Sequence, residues 1–297
     1  MKAIKLSLLL LICQQITLAQ SETPPGFLWQ VNINGSEFSL AGSVHAGKKN
    51  LYPLPEAYLN AYREADYVLF ELKEDFGTLE ENIFRYAAKD SLEEDQDLDN
   101  YLSPESKELL SVMFRGKEEL LACYYRYEGW LLNMAVSGRR SKLIGYDPGL
   151  AVDKYFHDMA TEDQKMILGL DQLETQLKLF EFEATREQQV GIIESALKRA
   201  KQQALSEQPI FESYYSQDTD AFREAFLGNL DMENPQVRAV YDRVFVSRNK
   251  AWVRKLIELS ETMPGNYFML VGCGHYFGPD NVLELLENEG FQVRQLH

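Results

Sequence analysis

The chain has 297 residues, 45% hydrophobic and 12% aromatic, which is enough apolar side chain for a large core and excludes a disordered chain. Its 46 acidic side chains outnumber 30 basic ones and give a net charge of −16, a field that makes nucleic acid and anionic membrane surfaces poor partners. Three cysteines exclude a disulfide framework.

The chain opens with Lys2 and Lys5, the apolar run Leu6–Ile12 and then Thr17-Leu18-Ala19, the pattern of a secretory signal cleaved after Ala19. Residues 1–19 are therefore expected to be removed, leaving residues 20–297 as a single periplasmic or secreted domain. That removal leaves 28 basic against 46 acidic side chains, and the cysteines Cys123 and Cys273, which an oxidising compartment would permit to pair. The apolar run is too short to span a bilayer, and no later run approaches the required length.

Strand signals fill Leu28 to Leu72, with the turn Asn34-Gly35 closing a hairpin. The run Phe38–Ala41 leads into Gly42-Ser43-Val44-His45. Beyond Pro53 and Pro55 follow a helix, Glu56 to Ala65, and a strand, Tyr67 to Leu72, with Glu71 near its end. Most of 79–262 reads as helix. The acidic run Glu93–Asp97 lacks the glycine and terminal glutamate of a calcium loop and reads as solvated. Ser103-Pro104-Glu105 starts one helix, and Glu118 to Ser137 forms a second with an aromatic core stripe. Leu143–Tyr146 reads as a short strand running into the turn Asp147-Pro148-Gly149, where Asp147 either closes the turn or joins a site. An apolar run, Met166–Leu170, precedes helices at Gln172–Phe182, Arg186–Gln203 and Pro235–Glu261, the last carrying Arg248-Asn249.

The strand Tyr267–Val271 then leads into a second Gly-x-x-His, Gly272-Cys273-Gly274-His275. After Gly278-Pro279 come a helix through Val282 to Leu286, a stop at Gly290 and the strand Phe291–Arg294. Strand, GxxH, proline loop, helix, strand thus occurs twice. The order predicts an α/β fold: a mixed central sheet from two GxxH-bearing half-repeats, with a large helical insert at about 79–262. A residue without Cβ lets the backbone turn or another group approach closely, so each imidazole would project into one cleft at the carboxyl ends of the strands. The plainer alternative is that each glycine marks a strand end and each histidine caps it.

The chain contains no Gly-x-Ser-x-Gly elbow, no HExxH helix, no phosphate-cradling loop and no Cys-x-x-Cys. What remains is His45, His275 and Glu71. Imidazole and carboxylate suit a divalent transition metal whose bound water ionises near neutral pH and attacks a carbonyl. A metal-free version has one histidine as general base and Glu71 orienting it.

Phe27–Val31, Leu40–His45, Leu51–Pro55, Ala65–Glu71, Gly145-Tyr146-Asp147, Arg248-Asn249 and Val271–Asp280 together resemble the TraB/GumN family, which is related to the Tiki metalloproteases. The resemblance covers the whole chain after the signal. It implies the fold shared with erythromycin-esterase and ChaN-like proteins and, from the Tiki branch, a divalent-metal-dependent peptidase acting on a peptide or protein. Carried over, it makes His45, Glu71 and His275 metal ligands or catalytic groups, with Mn, Co or Zn as suitable ions, and Arg248 and Asn249 electrostatic or positioning groups. Two departures stand out. Asp171-Gln172 replaces an expected Glu-Thr before the glutamine matched by Gln176, and carries no functional weight on this reading. Cys273 stands where a small residue such as Ala is usual, and its thiol is expected to ligate a nearby metal or be oxidised. The alternatives are a non-catalytic metal- or haem-binding protein, with Tyr276 beside His275 as a haem ligand, and a regulator that sequesters a peptide.

Overall fold

The computed structural model describes residues 27–90, 92, 96–181 and 185–296. The expected signal segment with its cleavage site, and Glu93, Glu94 and Asp95 of the acidic run, lie outside the described residues. No helix among the described residues is long and apolar enough to cross a membrane.

Six strands form one sheet: β1 (Leu28–Ile33), β2 (Ser36–Ser43), β3 (Tyr67–Phe70), β4 (Met166–Gly169), β5 (Asn266–Gly272) and β6 (Val293–Gln295), in the order β4-β3-β5-β2-β1-β6. Asn34 and Gly35, both at positive φ, close the β1–β2 hairpin, the backbone that an Asn-Gly turn favours. β2 pairs parallel to β5, β5 to β3 and β3 to β4, while β1 runs antiparallel to both β2 and β6. The two strand–GxxH–helix–strand units interleave. β2 and β5 lie side by side at the centre, with Gly42 opposite Val271 and Ser43 opposite Gly272, and their second strands, β3 and β6, fall on opposite flanks. Helices cover both faces, so the central strands are buried throughout: Tyr267 to Val271 are all at most 1% exposed.

Twelve α-helices accompany the sheet: α1 (Glu56–Glu64), α2 (Phe76–Ala87), α3 (Pro104–Met113), α4 (Glu118–Tyr125), α5 (Gly129–Arg139), α6 (Val152–Glu162), α7 (Leu173–Leu177), α8 (Arg186–Tyr215), α9 (Thr219–Gly228), α10 (Pro235–Tyr241), α11 (Ser247–Thr262) and α12 (Val282–Asn288). One apolar core packs on the sheet. A second gathers Leu110, Trp130, Leu131 and Ile193 within the helical insert. α8 joins them, with Val190, Ile193 and Leu197 in the second core and Phe211 and Tyr214 in the first.

Several elements differ from expectation for tertiary reasons. The helix expected over Glu118–Ser137 breaks at 126–128, where the Leu92 N–H donates to the Arg126 carbonyl and the Gln189 side chain accepts from the Gly129 N–H at 2.8 Å, so distant partners satisfy the broken ends. Leu143–Tyr146 is not a strand: Arg140–Ile144 forms a 3-10 turn ended by Gly145 at φ 83°, and no sheet edge is near enough in sequence to capture so short a run. Met166–Gly169 does join the sheet, as edge strand β4, so the insert supplies a strand as well as helices. α8 continues past Gln203 and through Pro209 because Phe211 and Tyr214 bury against the sheet. The Pro235–Glu261 helix is α10 and α11 joined by a π-helical turn, Asp242–Val246. β6 begins two residues later than expected, at Val293.

Candidate functional site

Because β2, β3, β4 and β5 are parallel, their carboxyl ends share one edge of the sheet, the edge at which open α/β sheets build sites. His45 follows β2, Glu71 follows β3, Asp171 follows β4 and Gly272 ends β5. Gly272 is the point of closest approach. A Cβ there would lie 3.0 Å from His45 Nε2 and 3.3 Å from Glu71 Oε1, so its missing side chain lets the imidazole and the carboxylate meet over the strand end.

His45 is held by the loop that follows it. Gly47 forms a backbone bridge with Asp147, the Val152 N–H donates to the Val44 carbonyl, and the Asp147 side chain accepts from the Gly149 N–H. Asp147 therefore closes a turn, and that turn delivers the first residues of α6. Asp153, in the first turn of α6, reaches His45 with Oδ2 2.7 Å from Nδ1. Nδ1 is thus occupied and Nε2 faces the site. Withdrawal from bulk water opposes the charged ring, but Asp153, aided by Glu71, overrides it and pushes the His45 pKa up to about 9. The ring is 66% exposed, so solvent screens part of that attraction.

Glu71 is held by three donors: the Gly272 N–H at 3.0 Å on Oε1, and Arg248 Nη2 at 2.5 Å and Gln176 Nε2 at 3.2 Å on Oε2. Burial alone would favour the neutral acid. The guanidinium, the two imidazoles and the Gly272 N–H instead hold the carboxyl well below the usual range, so it is ionised. Arg248, on α11, also donates Nε to Asp171 Oδ2 at 2.8 Å, and both carboxylates hold its own pKa above the usual value against burial. Asp171 is saturated in turn, since Trp252 Nε1 donates to Oδ1 at 2.8 Å and Gln176 Nε2 to Oδ2 at 3.2 Å.

The tautomer of His275 follows from its neighbours. Asn249 Nδ2 donates to the Asp280 carbonyl at 2.9 Å, which leaves Asn249 Oδ1 as the acceptor 2.6 Å from His275 Nδ1. Nδ1 carries the proton. Nε2 is then a lone pair, and it accepts from Arg248 Nη1 at 3.2 Å, a group with no lone pair to offer in return. Packed between Trp252 and Phe245, His275 is 3% exposed, and burial, helped by the Arg248 charge, pulls its pKa down to about 3.

The structure brings His45, Glu71, Arg248, Asn249 and His275 into one network. It adds Asp153, Asp171 and Gln176. Asp171, given no weight in the sequence, is the second carboxylate on Arg248. Its position at the end of an apolar run is the signal that would have found it. Cys273 lies elsewhere: its sulfur packs against Gly42, where a Cβ would come within 2.5 Å, and burial pushes its thiol pKa up. The site does not receive that thiol, because the 3-10 turn Cys273–Tyr276 sends it between β2 and β5 while sending His275 outward. Cys123 is exposed and Cys273 buried, and both are free thiols. Tyr276 is buried against Trp29, ring centroids 4.9 Å apart, and so is not presented as a haem ligand.

Two imidazoles anchored through Nδ1, with Nε2 directed at the groups around one carboxylate, are donors of the kind that hold a divalent ion, the anchoring partner fixing tautomer and ring orientation. In donor chemistry His45, Glu71 and His275 fit such an ion. Arg248 competes for two of them, and among the described residues no three His, Cys, Asp or Glu side chains are gathered as a metal-binding group.

No solved structure is significantly similar to the chain. Two curated proteins are: the uncharacterized protein YbaP of Escherichia coli (strain K12), 21% identical over 84% of this chain and 87% of its own length, and YbaP of Shigella flexneri, 21% identical over 86% and 90%. A profile of the TraB/PrgY/gumN family matches residues 27–295, from β1 through both GxxH strands to β6, so every strand that carries the site falls within the match and the chain belongs to that family.

Proposed function

We propose that the protein is an exported, divalent-metal-dependent hydrolase that cleaves peptide bonds. The observation that carries this reading is the shared orientation of His45 and His275, each fixed at Nδ1 and each turning Nε2 toward the Glu71 centre. The pKa values of the same groups support it. An effective general base titrates near the working pH, whereas His45 is pushed to about 9, His275 is pulled to about 3, and Glu71 is held below the usual carboxylate range. Chain groups alone therefore lack a base suited to neutral pH. A divalent ion, when bound by His45, Glu71 and His275, supplies that function by acidifying water and polarising a carbonyl. The chain's own contributions are then distinct: Asp153 and Asn249 orient the two imidazoles, Asp171 holds Arg248, and Arg248 offers a fixed positive charge to an oxyanion. The competition of Arg248 for Glu71 and His275 implies that loading the site shifts its guanidinium toward Asp171.

Elemental analysis of the purified mature chain, combined with cleavage of a peptide library with and without chelator, tests the reading. A bound transition ion, chelator-sensitive cleavage and a loss of about 100-fold or more in Glu71→Gln are expected. Cleavage indifferent to chelator would overturn the metal assignment, and metal bound with no cleavage of any peptide would favour a storage or sequestering role.

A further inference from the structure

Beside the site, a cleft of about 560 Å³ opens between α2 and α7, a volume suited to a small ligand or a short stretch of peptide. It is continuous with the site through two segments. Gln176 of α7 donates to Glu71 and Asp171, while Leu173, Glu174 and Thr175 of the same helix line the cleft. On the other side, Glu74 lines the cleft three residues beyond Glu71.

Two features of the lining point to an occupant. In a chain of net charge −16, the cleft collects Arg85, Lys89 and Lys178 against Glu74 and Glu174. Arg85 is paired with Glu81 at 2.6 Å and Lys89 lies 3.7 Å from Glu174, whereas Lys178 has no ionic partner among the described residues. Independently, Glu74 Oε2 is a buried oxygen with no hydrogen-bond partner, and a buried acceptor left unmet is costly enough that native proteins rarely keep one without reason. One cleft therefore lacks a donor at Glu74 and an anion at Lys178.

We propose that this cleft binds an acidic stretch of the peptide substrate, with a main-chain N–H of the peptide satisfying Glu74 and its side-chain carboxylates meeting Lys178, Lys89 and Arg85. The inference rests on the peptide reading of the site and adds the substrate's charge class and its path: the acidic stretch lies along α7, and the scissile bond lies at Glu71.

The test measures binding separately from turnover. Fluorescence anisotropy on full mature chain carrying Glu71→Gln would use labelled peptides of one length that are rich in Asp and Glu, in Asn and Gln, or in Lys. The acidic peptide should bind at least about tenfold tighter than the neutral one at low salt, and the preference should shrink as salt is raised, because exposed charges are screened. Lys89→Glu with Lys178→Glu should abolish the preference. Glu74→Ala should weaken the acidic and neutral peptides alike. Lys178→Met, at an exposed position, reads the same effect at a smaller size should the double variant fail to fold. A preference absent from the parent, or unchanged in the lysine variants, overturns the proposal. The two readings also fail separately. Peptide cleavage without charge discrimination removes the cleft and leaves the hydrolase, whereas charge-dependent binding without cleavage by the parent chain removes the hydrolase and leaves the cleft.

Discussion

Asn249 Oδ1 accepts the Nδ1 proton of His275 at 2.6 Å, and this one contact decides which imidazole nitrogen faces the site. Asn249 is wholly buried and its Nδ2 is committed to the Asp280 carbonyl, so the amide cannot turn over without losing both bonds. Asn249→Ala leaves the His275 N–H and the Asp280 carbonyl without these partners. The expected cost is about 1–3 kcal/mol, from unmet buried groups. Metal affinity or turnover should fall by about 10–100-fold, as when the partner that orients a ligating histidine is removed. A melting curve and a metal titration on the variant check both, and an unchanged affinity would show that Asn249 does not orient the ring.

Arg248 is 11% exposed at the side chain and neutralises Glu71 and Asp171 together. Arg248→Met strands both carboxylates, and breaking a buried pair on one side costs about 3–5 kcal/mol. The acid response should change sign. In the parent, Glu71 has a depressed folded pKa, so its contribution is present above the unfolded value of about 4.3 and is lost as pH falls toward the folded one. Without the guanidinium, burial instead favours the neutral acid, and the variant's deficit should narrow between pH 7 and 4. Paired melts across that range test the claim, and a constant gap would sink it.

Much of this centre was legible because its signals are local. Gly42 to His45 and Gly272 to His275 each combine an apolar strand with a glycine and a histidine, and Glu71 ends a strand with an unbroken apolar face. Asp153 and Asp171 were not legible in that way. Each is one acid among 46, and what gives it a role is the backbone bridge Gly47–Asp147 in one case and the pairing of β4 with β3 in the other. The same holds for Leu143–Tyr146, whose apolar run favours a strand locally but which Gly145 turns away from any partner. The π-helical turn before Arg248 has no sequence signal in the helical period on which the Pro235–Glu261 reading rested.

The two histidines give the metal-free chain opposite pH limbs. His275 has a folded pKa of about 3 against about 6.5 unfolded, so the stability it contributes is present above about 6.5 and lost as pH falls toward 3. His45 has a raised value of about 9, so its contribution is full below about 6.5 and lost as pH rises through 9. Asp153→Asn removes the charge on Nδ1 and should bring His45 back toward 6.5, erasing much of the alkaline limb and leaving the acid limb in place. Imidazole proton shifts followed from pH 5 to 10 read this directly. A His45 titration unmoved by the substitution would mean that Asp153 is not its charge partner.

Gly272→Ala separates the site from the fold. The backbone of Gly272, at φ −53° and ψ 132°, suits any residue, so the added methyl meets only His45 Nε2 and Glu71 Oε1. The melting temperature should change by no more than a few degrees, while metal affinity or turnover drops by about tenfold or more because the imidazole and carboxylate are forced apart. Retained function with the parent's melting curve would show that the close approach over Gly272 is not needed.

Gly42, the matching glycine of the first motif, serves packing instead. Its carbonyl accepts from Tyr214 at 3.0 Å and Tyr58 at 3.3 Å, and a Cβ on it would lie 2.5 Å from Cys273 Sγ and 3.0 Å from Phe27 Cβ. Gly42→Ala should therefore destabilise by about 1–3 kcal/mol through overpacking, with His45 and Glu71 left in place. Cys273→Ala removes the nearer of the two obstructing atoms. Alone it opens a small void, but combined with Gly42→Ala it provides the space the new methyl requires, so the double variant should be more stable than the sum of the singles predicts, by about 0.5–3 kcal/mol. Phe27 keeps the rescue incomplete. Denaturant melts of the four chains close the cycle. A coupling energy of zero would mean that the glycine of the first motif and the cysteine of the second do not share one packing site between β2 and β5.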